Sequence, residues 1–518
     1  MFLNENMLQQ LVGLALKDSP YGLLSHMITW VQSLVILRNA KLCINSAVHR
    51  PIMNLLADAR KKESCLTECL LLEYTLVEKM KEFSALLPLF FVLREKDGTR
   101  SFEFAIMEHL IEFLHLNDQH GELSRKACLS LIAIDVPDLQ EYIQYRNLHV
   151  LIVAGLGGLY TSLDRSAGLE SLLGFVQFIQ KALETCPCTK FKDALLKEIK
   201  VAFLESVFLS SVLDASDFDG TTQTALQSLL AILQIINVPS LVHVCGHFCL
   251  DSNDPAVPED EVNMRDLLLS KVNSASEDVC ILALQALTCL LGNNFAPLTL
   301  PLLLDSVPAS FIHSSDLTLP LSQQIQLASR YFDILDPLSL SDTKDTSMDA
   351  YLSDLRLQHK LQKTLKNGKP QEPKKDIAPQ FVDVLEKIHK DTTLQSMLAK
   401  FDDYFNRSSR VNLAWTGLLA KLASAPCPLL FSYLYSSDLL LPLNNQAPFS
   451  IYKMLETLDD CISNRAQEFE DFDQSLARQR LDFNLIQDNR MYTEFLRNVI
   501  VLSECKKELV AIYLTHNE

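Results

Sequence analysis

The sequence predicts an all-α chain, and three observations carry that reading. Only 14 of its 518 residues are glycine, so long stretches pass without a turn signal. Within those stretches apolar residues recur at helical spacing. Strictly alternating runs bounded by turns, the mark of half-exposed strands, are nearly absent. Short punctuation such as DSP, DVPD, CPC and NVPS joins the helices, which makes antiparallel neighbours of them. The expected architecture is an irregular HEAT/armadillo-like α-solenoid of helical hairpins. Pairs of roughly 40 to 47 residues would give on the order of ten units.

The helices follow in order. ENMLQQLVGLALK (5–17) places Met7, Leu8, Leu11, Leu14 and Ala15 on one face, and DSPYG stops it. HMITWVQSLVILR (26–38) repeats the device with Met27, Ile28, Val31, Leu34 and Val35. The pattern continues through residues 63–83, FEFAIMEHLIEFLHL (102–116) and ALLKEIKVAFLESVFLSSVL (194–213). It recurs at residues 224–237, 264–273 and 276–292.

One segment breaks the rhythm. From Pro337 to Pro379 the chain turns polar, with SDTKDTSMD and KNGKPQEPKKD, and reads as a flexible insertion open to early proteolysis. FVDVLEKI (381–388) then resumes the helical pattern. The expected domains are therefore an N-terminal solenoid (1–336), the insertion (337–379) and a C-terminal helical part (380–518).

Composition narrows the function classes. Lys and Arg number 46 against 64 Asp and Glu, a net charge of −18, which disfavours nucleic acid. Thirteen cysteines lie scattered in apolar runs, an odd count that suits buried thiols in a reducing compartment. The first sixteen residues hold no Lys or Arg and read as no signal peptide. Apolar runs such as SALLPLFFVL (84–93) are too short to span a bilayer. The expectation is a soluble intracellular protein.

Motifs that would carry chemistry are weak. Gly155, Gly157 and Gly158 follow a β-branched apolar run, as a phosphate loop would begin. A phosphate loop needs Lys and then Ser or Thr, however, and Leu159, Tyr160 and Thr161 stand there instead. Gly155 and Gly158, one turn apart, are expected to let another helix approach. HVCGHFC sets His243 and His247 on one helical face and Cys245 and Cys249 on the other, so one helix cannot close a four-ligand site. Cys65 and Cys69 share a face and read as core, while CPC (186–188) sits in a turn. DSNDPAVPEDE (251–261) lacks the spacing of a calcium loop. No catalytic residue, cofactor or metal ligand is expected, and the chain reads as a non-enzyme. RAQEFEDFDQSLARQRLDF (465–483) is more suggestive. Read as one helix, it carries Glu468, Glu470, Asp471 and Asp473 ahead of Arg478 and Arg480, a candidate docking face for a basic or amphipathic segment.

Several segments resemble the Hook-interacting protein (FHIP) family, also called retinoic-acid-induced-16-like proteins. In VLIVAGLGGLYTSL, Val150, Ala154, Gly155, Leu156, Gly158, Leu159, Tyr160, Ser162 and Leu163 fall on that family's pattern. Gly157 stands where the family has serine. Residues 2–22, 267–291, 410–434 and 495–514 are similar to further family segments, in the same order. Family members begin with more helix before the point where this chain starts.

The resemblance implies an adaptor subunit. Its implied partners are the C-terminal region of Hook, the inactive ubiquitin-conjugating-like protein FTS, and a GTP-loaded Rab. Through Hook it would join endosomal or other vesicular membranes to dynein and dynactin for microtubule-based transport, with the chain cytoplasmic and peripherally recruited. A generic α-solenoid scaffold in another trafficking or ubiquitin-linked assembly is the second reading.

Overall fold

The computed structural model describes residues 7–37, 43–96, 99–163, 168–251, 262–292, 392–398, 403–425, 451–486 and 489–516, with isolated positions near 295–302 and 427–434. The expected insertion at 337–379 lies outside the described residues. Packing divides the chain into two compact units, Met1–Ser210 with Ile235–Leu241, and Ser211–Gln234 with Val242–Glu518.

The described residues are overwhelmingly helical, as expected. The first unit begins with α1 (Met7–Ala15), α2 (Leu23–Leu37), α3 (Ser46–Ala59), α4 (Leu66–Glu82) and the short α5 (Leu87–Phe90). After a hairpin come α6 (Ala105–Phe113), α7 (Gln119–Ile132), α8 (Pro137–Tyr145), α9 (Leu148–Thr161) and α10 (Leu169–Thr185). Local chemistry sets the starts. Asn45 accepts from the Ala47 amide to cap α3, and Asp118 accepts from Gly121 to cap α7. Asp18, at a positive φ of 47°, takes the amides of Gly22 and Leu24 at the head of α2.

Helices of this unit pack on near neighbours in sequence: α1 on α3, α2 on α4, α4 on α7, α7 on α10, and α9 on α10. α4 is the hub. Leu70, Leu72, Leu76, Val77 and Met80 are buried around it, so no face is left for solvent alone. Its polar side chains must therefore find partners in protein. Glu68 accepts from Ser25 of α2, and Thr67 meets His120 of α7 at 2.9 Å. Glu78 accepts from Ser130 of α7.

Two departures from the all-helical expectation matter. A two-stranded antiparallel hairpin, β1 (Val92–Lys96) and β2 (Thr99–Glu103), pairs Lys96 with Thr99. Phe102, expected to open a helix, lies in β2 instead. It stacks on Phe91 with ring centroids 5.9 Å apart, and packs against Tyr142 and Tyr145 of α8. The second departure lies in the expected helix at 194–213. After α11 (Thr189–Glu198) the backbone widens into π-helix over Ile199–Leu209, closing in α12 (Ser210–Leu213). The Ser206 hydroxyl bonds back to the Val201 carbonyl, five residues earlier, in that wider register.

The second unit holds most of α13 (Thr221–Ile235) and of α14 (Pro239–Leu250), then α15 (Met264–Val272), α16 (Glu277–Leu290) and α17 (Thr392–Leu398). α18 (Ser409–Ala423), α19 (Ile451–Ala466), α20 (Phe472–Leu481) and α21 (Arg490–His516) complete it. α18 packs on both α16 and α21. A buried polar set fixes that register: Asn412 Nδ2 donates to Asn498 Oδ1 at 2.9 Å and to the Tyr404 carbonyl at 2.7 Å. Asn498 Nδ2 donates in turn to the Arg407 carbonyl, and Trp415 Nε1 donates to Met397 O. Each amide is satisfied, so the polar atoms select one alignment rather than costing a desolvated group.

Candidate interaction surface

The candidate docking face is not one helix. α19 ends at Ala466 and α20 starts at Phe472, with a turn between them. The break follows from the aromatics. Phe469 stacks on Tyr492 of α21 at 4.0 Å between centroids, and Phe472 packs against Phe495. Arg465 lies over the Phe495 ring at 5.0 Å. With Leu476 buried between them, these contacts pull the apolar side of 465–476 onto α21. Glu468, Glu470, Asp471 and Asp473 are left exposed on the turn and the first turn of α20. Asp471 also accepts from the Ser475 hydroxyl at 2.9 Å, which ties the turn to the helix it precedes. Arg478 is exposed, while Arg480 is half-buried and donates to Ser503 of α21, so the two basic residues do not act alike.

Beside the acidic turn lies a feature that sequence reasoning missed. From the last residue of α20 to the first turn of α21 the chain exposes Leu481, Ile486 and Met491, at 88%, 76% and 75% of their full surface. Their backbone is held. Gln479, buried, donates to the carbonyls of Phe483 and Leu485 at 2.8 and 3.0 Å. Arg497 Nε donates to Phe483 O at 2.9 Å, and its guanidinium covers the Phe483 ring. Apolar side chains exposed on a tethered stretch of chain are arranged as interaction surfaces commonly are. The signal was present in LDFNLIQ, an apolar stretch placed after the helix had turned polar.

The glycine expectation splits in two. All three glycines lie within α9, so no phosphate loop exists there. A Cβ on Gly155 would come within 3.1 Å of Phe175 of α10 and 3.6 Å of His115, so this glycine does admit a neighbour closely. Gly158 does not. It is exposed, and a Cβ there meets nothing within 4 Å, because the contact side of α9 passes through 155 and 157. The glycine whose hydrogen is required is Gly121, where a Cβ would fall 1.9 Å from the Leu116 carbonyl oxygen.

Most of the cysteines behave as core, Cys461 being exposed and Cys188 and Cys289 half-buried. Cys65, Cys69, Cys245 and Cys249 are buried, and burial pushes the Cys245 and Cys128 thiols up to about 12. Cys186 and Cys188 are both free thiols, and Cys188 accepts from Gln144. On α14, His243 is exposed and His247 half-buried, on the side opposite Cys245 and Cys249. Residues 252–261, expected to be a solvated acidic loop, lie outside the described residues.

One buried group brings metal-ligand chemistry together: Cys69, Glu73 and His109, with donor atoms within 4.8 Å of one another. Its charge is already balanced. Arg60 Nε holds Glu73 Oε1 at 2.7 Å, and His109 Nδ1 holds Oε2 at 2.8 Å. A divalent ion there would face the guanidinium at close range, so the group reads as a buried ion pair joining α3, α4 and α6. An open groove of about 640 Å³ in the second unit, between Leu233, Cys289, Leu413 and Lys421, presents mainly apolar and amide groups. Among the described residues no helix is long and apolar enough to cross a membrane.

Comparisons with known proteins place these features in context. A family model described as retinoic acid induced 16-like protein matches residues 1–169 and 163–306. A second, a family of unknown function (DUF5917), matches residues 390–484 and so includes the acidic turn. FHIP family protein CG3558 of Drosophila melanogaster is 26% identical over 282 residues, covering 48% of this chain and 26% of that protein. FHIP family protein CPIJ015043 of Culex quinquefasciatus is 24% identical over 330 residues, covering 58% of this chain and 32% of that protein. The chain thus spans about a quarter to a third of the length of these curated relatives.

Proposed function

We propose a function from one premise: the chain belongs to the retinoic acid induced 16-like family, whose curated relatives carry the FHIP name. It acts as a non-enzymatic adaptor subunit. It holds the C-terminal region of Hook together with FTS, and contacts a GTP-loaded Rab on endosomal or other vesicular membranes. Through Hook it connects those membranes to dynein and dynactin. The observation that carries this reading is the family match, which runs in order over residues 1–306. The surface at 468–491 supports it in kind, since tethered, exposed apolar side chains beside carboxylates suit a partner helix with apolar and basic faces. Helices packed on near neighbours also leave outer faces exposed along the chain, and several partners can use such faces separately. The Rab contact would depend on nucleotide, because the γ-phosphate orders the switch segments that an effector reads.

Affinity purification of the tagged full chain tests this directly, asking whether Hook and FTS are retained. A second arm presents the chain with a Rab in GTP-like and GDP-like states. Retention of Hook and FTS with GTP-selective Rab capture is the expected result. Loss of Hook and FTS would remove the complex assignment in favour of a scaffold in another assembly, and equal capture of both Rab states would remove the effector role.

A further inference from the structure

We propose that the open groove of the second unit, about 640 Å³ and lined by α13, α16 and α18, receives an extended peptide segment of a partner protein, with an apolar anchor and a carboxylate a few residues away. This does not rest on the adaptor reading and has its own test. The groove is shaped by α18. Leu413, Ala414, Gly417 and Lys421 lie along one side of that helix, and all four line the groove. From Leu413 to Lys421, about 12 Å at 1.5 Å per residue, α18 offers the groove only a methyl group and bare backbone. A Cβ placed on Gly417 meets nothing within 4 Å, so the trough is open above it. Leu413, 60% exposed, stands at one end as an apolar wall.

Charge and hydrogen bonding select the occupant. Lys421 is the one charged residue of the lining, and among the described residues its ammonium makes no ion pair or hydrogen bond. Glu508 of α21 feels that ammonium without pairing with it, and burial pushes the Glu508 carboxyl up. One turn before Leu413, Arg410 is already held by Glu277 and Asp278 of α16. This side of α18 therefore carries a free positive charge at its Lys421 end and a neutralised one at the other, which suits a single carboxylate on the occupant. Gln234 of α13 and Gln285 of α16 are exposed in the lining, and neither side-chain amide has a partner among the described residues. Each offers both donors and an acceptor. An extended segment brings backbone N–H and C=O groups that need such partners, whereas a helix satisfies its own. At about 3.3 Å per residue, the span from Leu413 to Lys421 sets the carboxylate roughly three or four residues from the apolar anchor.

The test titrates short labelled synthetic peptides, each with one Leu and one Glu at stepwise separations, against the purified full chain by fluorescence anisotropy. The expected result is saturable binding that peaks at a separation of roughly three or four residues. It should weaken at least about tenfold when the peptide Glu is replaced by Gln, or when Lys421→Gln is made in the chain. Gln234→Ala combined with Gln285→Ala should weaken it severalfold. Gly417→Leu fills the trough and should abolish binding, while its side chain enters open space within a helix and so keeps or raises the parent melting temperature. Binding at no separation, equal affinity at every separation, or affinity unchanged by Gly417→Leu would each overturn the proposal. Tighter binding of a helical peptide of the same composition would overturn it as well.

Discussion

His109 Nδ1 lies 2.8 Å from Glu73 Oε2, in a pair buried between α4 and α6 and separated by 36 residues of sequence. Arg60, at the end of α3, takes the other carboxylate oxygen. Three helices therefore meet on one carboxylate, and removing its charge leaves a guanidinium buried without its counter-ion. Glu73→Gln is expected to cost about 3–5 kcal/mol, the range for breaking a buried pair from one side. Thermal melting of the full chain checks it. A melting temperature equal to the parent would show that the carboxylate does not hold these helices.

The glycines give a graded series. Gly121→Ala sets a methyl against the Leu116 carbonyl, a backbone atom that cannot turn aside, and should be the most destabilising. Gly155→Ala meets the edge of Phe175, a side chain that can yield, and should cost less. Gly158→Ala enters open space within a helix and should be neutral, or stabilising by up to about 0.5–1 kcal/mol. Melting temperatures in any other order would contradict these packing assignments.

Asp217 offers a pH test. Burial alone would raise its carboxyl, but bonds from Lys271 and Ser274 outweigh burial and hold it below the usual range. Lys271 Nζ and Ser274 Oγ each approach it at 2.6 Å. A depressed folded pKa means the stabilisation is present above the unfolded value, about 3.9, and is lost as pH falls through the folded one. Asp217→Asn should lower stability at neutral pH by at least about 1 kcal/mol, and the gap to the parent should close under acid conditions. A gap independent of pH would mean that the carboxylate charge plays no part.

Leu481→Glu and Ile486→Glu should leave the fold within about ±0.5 kcal/mol of the parent, since both side chains stand in solvent. Under the adaptor reading, the same variants should release at least one protein partner in pull-down from cells. Reversing the charge of Glu468, Glu470, Asp471 and Asp473 together should do likewise. Full retention of every partner by both sets of variants would remove the surface from the adaptor reading.

Helical class, most of the buried thiols and the inward face of α2 were legible in the sequence, because apolar period is a local property that each helix carries by itself. Ile28, Val31 and Val35 are buried as that period requires, whereas on α1 Met7, Leu11 and Leu14, expected beside Leu8 and Ala15, are exposed and Val12 is buried in their place. The hairpin was missed, although an Asp97-Gly98 pair stands between the two strand sequences. Family membership was visible in ordered segments rather than in any catalytic motif. Tertiary structure alone decided the rest. Which glycine in α9 admits a neighbour depends on where Phe175 of α10 arrives, and spacing within α9 does not contain that. The expected helix at 465–483 breaks because Phe469 and Phe472 find Tyr492 and Phe495, partners some twenty residues away on another helix. Glu73 is tolerable inside the core only because Arg60 and His109 converge on it. Local periodicity tells which face of a helix turns inward, while the meeting of two faces distant in sequence determines what each buried or exposed group encounters.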